Sequence, residues 1–130
     1  MKPYWDSSAL VQTTWDRALE TRLVQEGGFT RSHTLTEVFS ALTGKMHIRL
    51  EAREAAKTVR AMAARLQFVN LSEEEVLDAL DKAQARGIRG GRVHDYVHAL
   101  AAAKAKAGAL LTADRNDFEN LVPGLSVEQV

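Results

Sequence analysis

Four carboxylates lie where predicted strands end or predicted helices begin: Asp6, Glu37, Asp95 and Asp114. Carboxylate oxygens are hard ligands that suit Mg²⁺ or Mn²⁺, since these ions keep several waters and need only a few protein oxygens. Carboxylates that converge without a cation repel one another and raise each other's pKa values. A cluster of these side chains would therefore make physical sense mainly as a metal site.

Each of these carboxylates also has a purely structural interpretation. A carboxylate at a helix N-terminus is stabilised by the helix dipole and the free amides, whatever the protein does. Asp6 could cap the helix that follows it, and Glu37 stands three residues after Thr34, which is the spacing of a capping box. Asp95 could be an ordinary first-turn acid, and Asp114 could hydrogen-bond within its own turn. Taken one at a time, the carboxylates leave both interpretations open.

Short β-like runs alternate with longer helical stretches, an order that predicts a parallel sheet covered by helices on both faces. Strands are predicted over residues 2–5, 29–33, 68–69, 109–112 and 125–130. Helices are predicted over residues 14–26, 34–44, 47–66, 71–87 and 93–106. We therefore expect a three-layer α/β/α fold with a central, mostly parallel sheet of four to five strands. Ligands of such sheets bind beyond the carboxyl ends of the strands, which is where the four acids are expected.

The composition is that of an ordinary globular domain. With 130 residues, 45% hydrophobic and 26% charged, the chain can form a packed interior, and we expect one domain over residues 1–130. The absence of cysteine excludes disulfides, thiolate metal sites and cysteine nucleophiles. The N-terminal segment MKPYWDSSALV has no signal-peptide run, and no segment approaches the roughly 20 apolar residues of a membrane helix. We therefore expect a cytoplasmic protein without a membrane partner.

The charge balance gives the chain no overall attraction to a polyanion, because basic and acidic residues number 17 each. Nucleic-acid binding would need local basic patches. Spacings of four, four and three put one candidate set on one face of the predicted 47–66 helix: Arg49, Arg53, Lys57 and Arg60. Arg89 and Arg92, around the pair Gly90 and Gly91, form a second set. A solvated helix face is the commoner explanation for a charged stripe of the first kind.

The segments around the four acids, compared as strings, resemble the motifs of the PIN-domain family. WDSSALVQ is similar to the family's opening, a strand that ends in Asp and is followed by a small hydroxyl residue and an apolar run. SHTLTEVFSAL resembles the second motif, in which Glu follows a Ser/Thr-rich turn. HDYVHALAAAKAKAGALLTADRNDF resembles the third and fourth motifs, and LVPGLSVEQV resembles the closing strand. The motifs follow the family order along nearly the whole chain.

This resemblance implies a divalent-metal-dependent endoribonuclease that hydrolyses RNA phosphodiester bonds with Mg²⁺ or Mn²⁺ as its cofactor. It implies the following catalytic and metal-binding acids: Asp6, Glu37, Asp95 and Asp114. It also implies three accessory residues: Asp117, Ser7 and Thr112. The small size resembles the VapC-like toxin branch of the family. That branch implies an RNA substrate, a cognate antitoxin protein as partner, and a homodimer.

Alternative interpretations of the same residues remain open. One is a catalytically silent PIN-like fold that acts mainly as a protein-binding module. Another is a receiver-like signalling domain, although its phospho-acceptor Asp and late Lys have no convincing place here. His94 and His98 have the spacing of zinc ligands, yet the glutamate of an HExxH motif is absent. Trp5, Trp15 and Tyr96 could stack on nucleic-acid bases, but packing is the commoner role of such side chains.

Overall fold

The strands of the central sheet are short and run parallel to their neighbours. The computed structural model describes residues 1–44 and 47–130. The strands are β1 (Tyr4–Trp5), β2 (Phe29–Thr30), β3 (Gln67–Phe68), β4 (Leu110–Thr112) and β5 (Val127–Gln129). Their order across the sheet is β3-β2-β1-β4-β5, with every pairing parallel. The predicted parallel sheet is therefore confirmed, with each strand no longer than three residues.

Helices separate the strands along the chain. They are α1 (Ser7–Gln12), α2 (Arg17–Glu26), α3 (Ser32–Gly44), α4 (Ala52–Ala63), α5 (Glu73–Lys82) and α6 (Arg92–Lys104). Two 3₁₀ turns follow α5 and β4, over Gln84–Arg86 and Arg115–Asp117. The short helix α1 was not predicted, and α2 begins three residues later than the predicted 14–26 helix. Across residues 1–44 and 47–130, no helix is both long and apolar enough to cross a lipid bilayer.

Alternate residues of the central strands fill two separate cores. Successive side chains of a strand point to opposite faces of the sheet. Trp5 and Leu111 are fully buried on one face, in a cluster with apolar residues of α1 to α4. Tyr4 and Leu110 are fully buried on the other face, in a cluster that includes residues of α5 and α6. The predicted three-layer α/β/α architecture is therefore confirmed.

The segment between α3 and α4 departs from the prediction, because α4 begins at Ala52 and not at residue 47. Arg49 has a φ of +36°, which an α-helix cannot accommodate. The next amide, that of Leu50, donates to the Leu42 carbonyl oxygen at 2.7 Å, and the Leu50 side chain packs against the core. The prediction that Arg49 shares one helical face with the other basic residues is therefore wrong. The remaining members of that set lie within α4: Arg53, Lys57 and Arg60.

A reciprocal pair of hydrogen bonds closes the N-terminus of α5. The Glu75 amide donates to Ser72 Oγ at 3.1 Å, and the Ser72 amide donates to Glu75 Oε1 at 2.8 Å. This reciprocal pair is a capping box, and it satisfies two amides that the helix itself leaves unpaired. The helix ends at Lys82, and the 3₁₀ turn after it ends at Gly87, whose φ of +70° suits glycine. The helix predicted over residues 71–87 therefore begins at a well-satisfied N-terminus.

A close approach between β1 and the start of β2 fixes the position of β1. Gly28 has a φ of +131°, and a Cβ atom there would lie 2.2 Å from the Pro3 carbonyl oxygen, so only glycine fits. The Trp5 indole nitrogen donates to the Gly27 carbonyl oxygen at 2.8 Å. Trp5 and Tyr96 are buried, so both are core residues and neither is a stacking surface for bases.

Candidate active site

Asp6 lies at the point where the order of the strands reverses. Chain connections leave β1 for β2 on one side and return to β4 on the other, and the carboxyl ends of such neighbouring strands form the ligand crevice of a parallel sheet. Asp6 follows β1 directly and is only 4% exposed. Its Oδ1 accepts hydrogen bonds from the Ala9 amide and from Ser8 Oγ, both at 2.8 Å. The carboxylate therefore caps α1 and is held rigidly at the crevice.

Ser8 joins the end of β1 to the end of β4. Its Oγ accepts from the Ala113 amide at 2.9 Å and lies 3.3 Å from Thr112 Oγ1. Thr112 Oγ1 in turn accepts from the Asp114 amide at 3.1 Å. The Thr112 hydroxyl is therefore part of this hydrogen-bond network. Ser8 is a further member of this network that was not predicted from the sequence. The predicted Ser7 instead lines a groove beside the site, which Trp15 and Glu37 also line.

Asp95 is close enough to other acids to be repelled by them. It lies in the first turn of α6. Burial raises the pKa of this carboxyl to about 6, with the negative charges of Asp117 and Asp6 acting in the same direction. His98 and Arg92 oppose that rise. Burial likewise raises the pKa of Asp6, against the hydrogen bonds that it accepts. Asp95 therefore lies within electrostatic range of both Asp6 and Asp117, as expected of acids that share a site.

Glu37 is held by a buried histidine. Its Oε1 lies 2.8 Å from His98 Nε2, and His98 Nδ1 lies 2.8 Å from the Tyr4 hydroxyl oxygen. Burial alone would raise the pKa of Glu37, but the hydrogen bond and charge of His98 lower it below its usual range. An ionised carboxylate only accepts, so Nε2 must donate the proton in that bond. Burial raises the pKa of Tyr4, so the phenol remains neutral; its oxygen can accept from Nδ1 of a protonated His98, and its hydroxyl can donate to Nδ1 of the neutral ring.

Glu37 does not form a capping box with Thr34, which was the structural interpretation of its spacing. Helix α3 begins at Ser32, so Thr34 lies inside the helix and is buried, rather than standing at its N-cap.

Asp114 agrees with its structural interpretation, which was a hydrogen bond within its own turn. It is exposed, and its Oδ1 accepts from the Asn116 amide at 3.1 Å within its own turn. Of the four predicted acids, Asp114 therefore lies at the most open position.

The histidine pair does not form a zinc site in this structure. Both ring nitrogens of His98 are engaged, by Glu37 and by Tyr4, and the ring is 2% exposed. His94 is exposed one turn earlier in the helix. His98 is a residue whose role the sequence could have suggested, because its spacing of three from Asp95 puts both on one face of α6. Its pairing with Glu37, 61 positions away, could not be read from local spacing.

The chemistry of the donor set fits a hard divalent cation. Within residues 1–44 and 47–130, no three His, Asp or Glu side chains are grouped closely enough to form a metal site by themselves. Mg²⁺ commonly uses only one or two carboxylates and keeps several waters, so it does not require such a group. Burial raises the pKa of Asp95 and the charges of Asp117 and Asp6 add to that rise, and a nearby cation would relieve the repulsion. Asp6 and Asp95 are thus suitable ligands.

An α/β domain with acids at the carboxyl ends of an all-parallel sheet is therefore the class that fold and site define. The family model of the PIN domain matches residues 4–122, and the chain belongs to this family. PIN domains are generally nucleases, so the fold is a nuclease fold. The crystal structure of PAE2754 from Pyrobaculum aerophilum is similar to this chain, with a TM-score of 0.70 at 18% identity. The similarity covers 98% of this chain and 89% of that one, and it shows the fold. Comparison with curated proteins gave no match.

Proposed function

We propose that this chain, as a single domain over residues 1–130, is a divalent-metal-dependent endoribonuclease. It would hydrolyse RNA phosphodiester bonds in the cytoplasm as the toxin of a toxin-antitoxin pair. One observation carries the proposal: in a nuclease fold, the Asp6 carboxylate is 4% exposed directly after β1, at the point where the order of the strands reverses. A carboxylate buried at the ligand crevice of a parallel sheet, with Asp95 close enough to be affected by its charge, is suited to holding a cation.

The residues that would hold Mg²⁺ or Mn²⁺ are Asp6, Asp95, Asp114 and Glu37, with Asp117 as an accessory acid. When bound, the cation would supply a water of lowered pKa and offset the charge of the scissile phosphate. The chain's own groups prepare the site for that chemistry. The Ala9 amide and Ser8 Oγ fix Asp6 through Oδ1. His98 occupies Glu37 Oε1, which would leave the other carboxylate oxygen free to bind the cation or one of its waters.

The RNA backbone would be held by exposed basic side chains. The candidates are Arg49, Arg53, Lys57, Arg60, Arg89 and Arg92. Arg92 has the most direct support, because its charge is close enough to Asp95 to lower the pKa of that carboxyl. The three basic residues within α4 share one exposed face of that helix. Contacts of this kind position a phosphate chain without reading its sequence.

A second candidate function is a catalytically silent PIN-like module that binds another protein. One observation favours it over the metal-dependent nuclease: Glu37, one of the four candidate metal-binding acids, is already bound through Oε1 by His98. In this case the groove beside the acids would serve the protein partner.

The deciding experiment is cleavage of a mixed set of structured and unstructured RNAs by the pure protein with Mg²⁺, Mn²⁺ or EDTA. Asp6→Asn is the informative variant, because asparagine also caps helices and α1 should still form. Asp81→Asn, which changes an exposed acid of α5, is the matched control. We expect cleavage that EDTA and Asp6→Asn abolish and that Asp81→Asn retains. If wild type and Asp6→Asn behave alike with every metal, the protein-binding module becomes the better proposal.

The toxin role, the antitoxin and the homodimer are finer parts of the same proposal. A toxin should arrest growth when its synthesis is induced, and Asp6→Asn should not. For the homodimer, we propose an interface on α2 and α4, where Val24 is about half exposed beside a groove that Leu23 and Met62 also line. Light scattering of wild type and of Val24→Glu would test it, and a monomeric wild type would rule it out.

A further inference from the structure

A groove of about 930 Å³ adjoins the acidic site. Two of its lining residues, Ser8 and Glu37, belong to the hydrogen-bond networks that hold the candidate acids in place. Its volume lies in the range of small-molecule sites, roughly 300–1,000 Å³. The groove is therefore continuous with the place where a phosphodiester bond would be cut.

Trp15 gives this groove an exposed aromatic surface. It lies in the connection between α1 and α2 and is 60% exposed, whereas Trp5 is fully buried. The indole meets the His47 ring edge to face, with ring centroids 6.4 Å apart and an angle of 63° between the planes. A large flat side chain left exposed beside a site offers much contact area at a low cost in conformational entropy. It is suited to stacking against another flat ring.

The other lining groups favour a neutral ligand with polar edges. Hydroxyls of Ser7, Thr36 and Ser40 line the groove with the Gln12 amide. Among the described lining residues other than histidines, only Glu37 carries a formal charge, and His98 already binds it. Among the lining residues that the structure describes there is no Lys or Arg to attract a phosphate, and the hydroxyl and amide groups can hydrogen-bond the edges of a nucleobase.

We propose that the groove binds an unpaired nucleobase of single-stranded RNA, next to the scissile phosphate, by stacking on Trp15. The proposal rests on the proposed nuclease function, because a strand whose phosphodiester bond lies at the acids must place a neighbouring nucleotide nearby. Trp15 binds and selects the substrate and takes no part in the chemical step. Because double-stranded RNA keeps its bases stacked internally, the groove selects single-stranded regions.

The test is RNA binding in EDTA, where cleavage is absent. A short single-stranded oligoribonucleotide is titrated into wild type, Trp15→Ala and Trp15→Phe, with Phe68→Ala as an exposed aromatic control outside the groove. Trp15→Ala should weaken binding about 5- to 100-fold, because stacking on an aromatic ring contributes that much per base. Trp15→Phe should retain part of the affinity, and Phe68→Ala all of it. The dependence of log Kd on log salt should keep the same slope in Trp15→Ala, since no phosphate contact is lost.

Two further readouts make the proposal specific to a base. Acrylamide quenching of tryptophan fluorescence should fall when the oligonucleotide binds, because Trp15 is exposed and Trp5 is buried. An oligonucleotide with abasic positions should bind wild type as weakly as the intact one binds Trp15→Ala. If Trp15→Ala binds like wild type with a melting temperature unchanged, the base site is refuted and a protein partner becomes the occupant of the groove. Tight, Trp15-dependent binding without cleavage in any metal would retain the base site and refute the nuclease instead.

Discussion

Replacing Asp95 with asparagine should make the metal-free protein more stable. The carboxylate is held near Asp117 and Asp6, whose charges add to burial in raising its pKa from 3.8 to about 6. At neutral pH the folded state therefore carries a charge that the unfolded chain carries at lower cost. Asparagine has nearly the same shape and no charge, so Asp95→Asn removes the repulsion and retains most of the packing.

The size of the effect follows from that pKa difference. It corresponds to roughly 3 kcal/mol in the free energy of unfolding before solvent is considered. Asp95 is only half-buried, and screening by water reduces the figure to about 1.5 kcal/mol. Losing a carboxylate from the first turn of α6 costs about 0.5 kcal/mol through the helix dipole. The expected net gain is about 1 kcal/mol, or a rise of roughly 3–5 °C in Tm for a chain of this length.

The gain should depend on pH in a defined direction. Below about pH 4 the carboxyl is protonated in both the folded and the unfolded chain, so wild type and variant should differ little. The folded pKa of Asp95 lies above the unfolded one, so wild-type stability falls, relative to the variant, as the pH rises from about 4 to about 6. Above that range the difference should be constant.

Urea denaturation in EDTA, at several pH values, measures this difference, with Asp81→Asn as the control. Adding Mg²⁺ at about 100 times its Kd should then stabilise wild type by about 2.7 kcal/mol and reverse the order of the two proteins. Two results would refute the reasoning. A variant that is less stable than wild type in EDTA at neutral pH would make Asp95 a structural residue. Equal stabilisation of both proteins by Mg²⁺ would remove Asp95 from the cation site.

Two further predictions concern the side chains that hold the acids. Ser8→Ala should lower the free energy of unfolding by about 1–2 kcal/mol, because it removes a hydrogen-bond partner from Asp6 and from the Ala113 amide. Ser7→Ala is the control and should change the free energy of unfolding by less than about 0.5 kcal/mol. Urea denaturation measures both. His98→Ala should lower kcat about 10- to 100-fold with little change in KM. The amide of His98→Gln can still donate to a carboxylate, so this variant should recover part of the lost activity. Equal loss of kcat in both variants would show that His98 has a packing role alone.

The layers of the fold could be predicted from the sequence because alternating β-like and helical runs are local signals. The failures lie where local signals are weak or overridden. Helix α1 is only six residues long and depends on the side chain of Asp6 as its cap. Nothing in the composition of residues 47–51 opposes a helix, yet the Leu50 amide pairs with Leu42 and Arg49 takes a left-handed conformation. These contacts belong to the tertiary structure, so a local pattern cannot show them.

The sequence predicted the residues of the candidate site better than the hydrogen bonds between them. The order of the motifs located Asp6 and Asp95, and the structure brings them within electrostatic range of each other. Adjacent residues of a helix point about 100° apart, so only the folded backbone decides that Ser8, and not Ser7, reaches Asp6. The pairing of Glu37 with His98 joins residues from two helices and depends on how they pack on the sheet.

Hydrogen bonds between separate elements support the acids of the candidate site. Asp117 and Asp6 both repel the Asp95 carboxylate, which adds to the cost of its burial at this edge of the sheet. Other groups there offset the cost: the Ser8 network ties β1 to β4, and His98 ties α6 both to α3 and to β1. Hydrogen bonds between elements thus support Asp6 and Glu37, and the charges of Asp117 and Asp6 act on Asp95. Moving the acids apart would break these hydrogen bonds. A bound cation can therefore offset the charge repulsion at a lower cost than a local rearrangement of the chain.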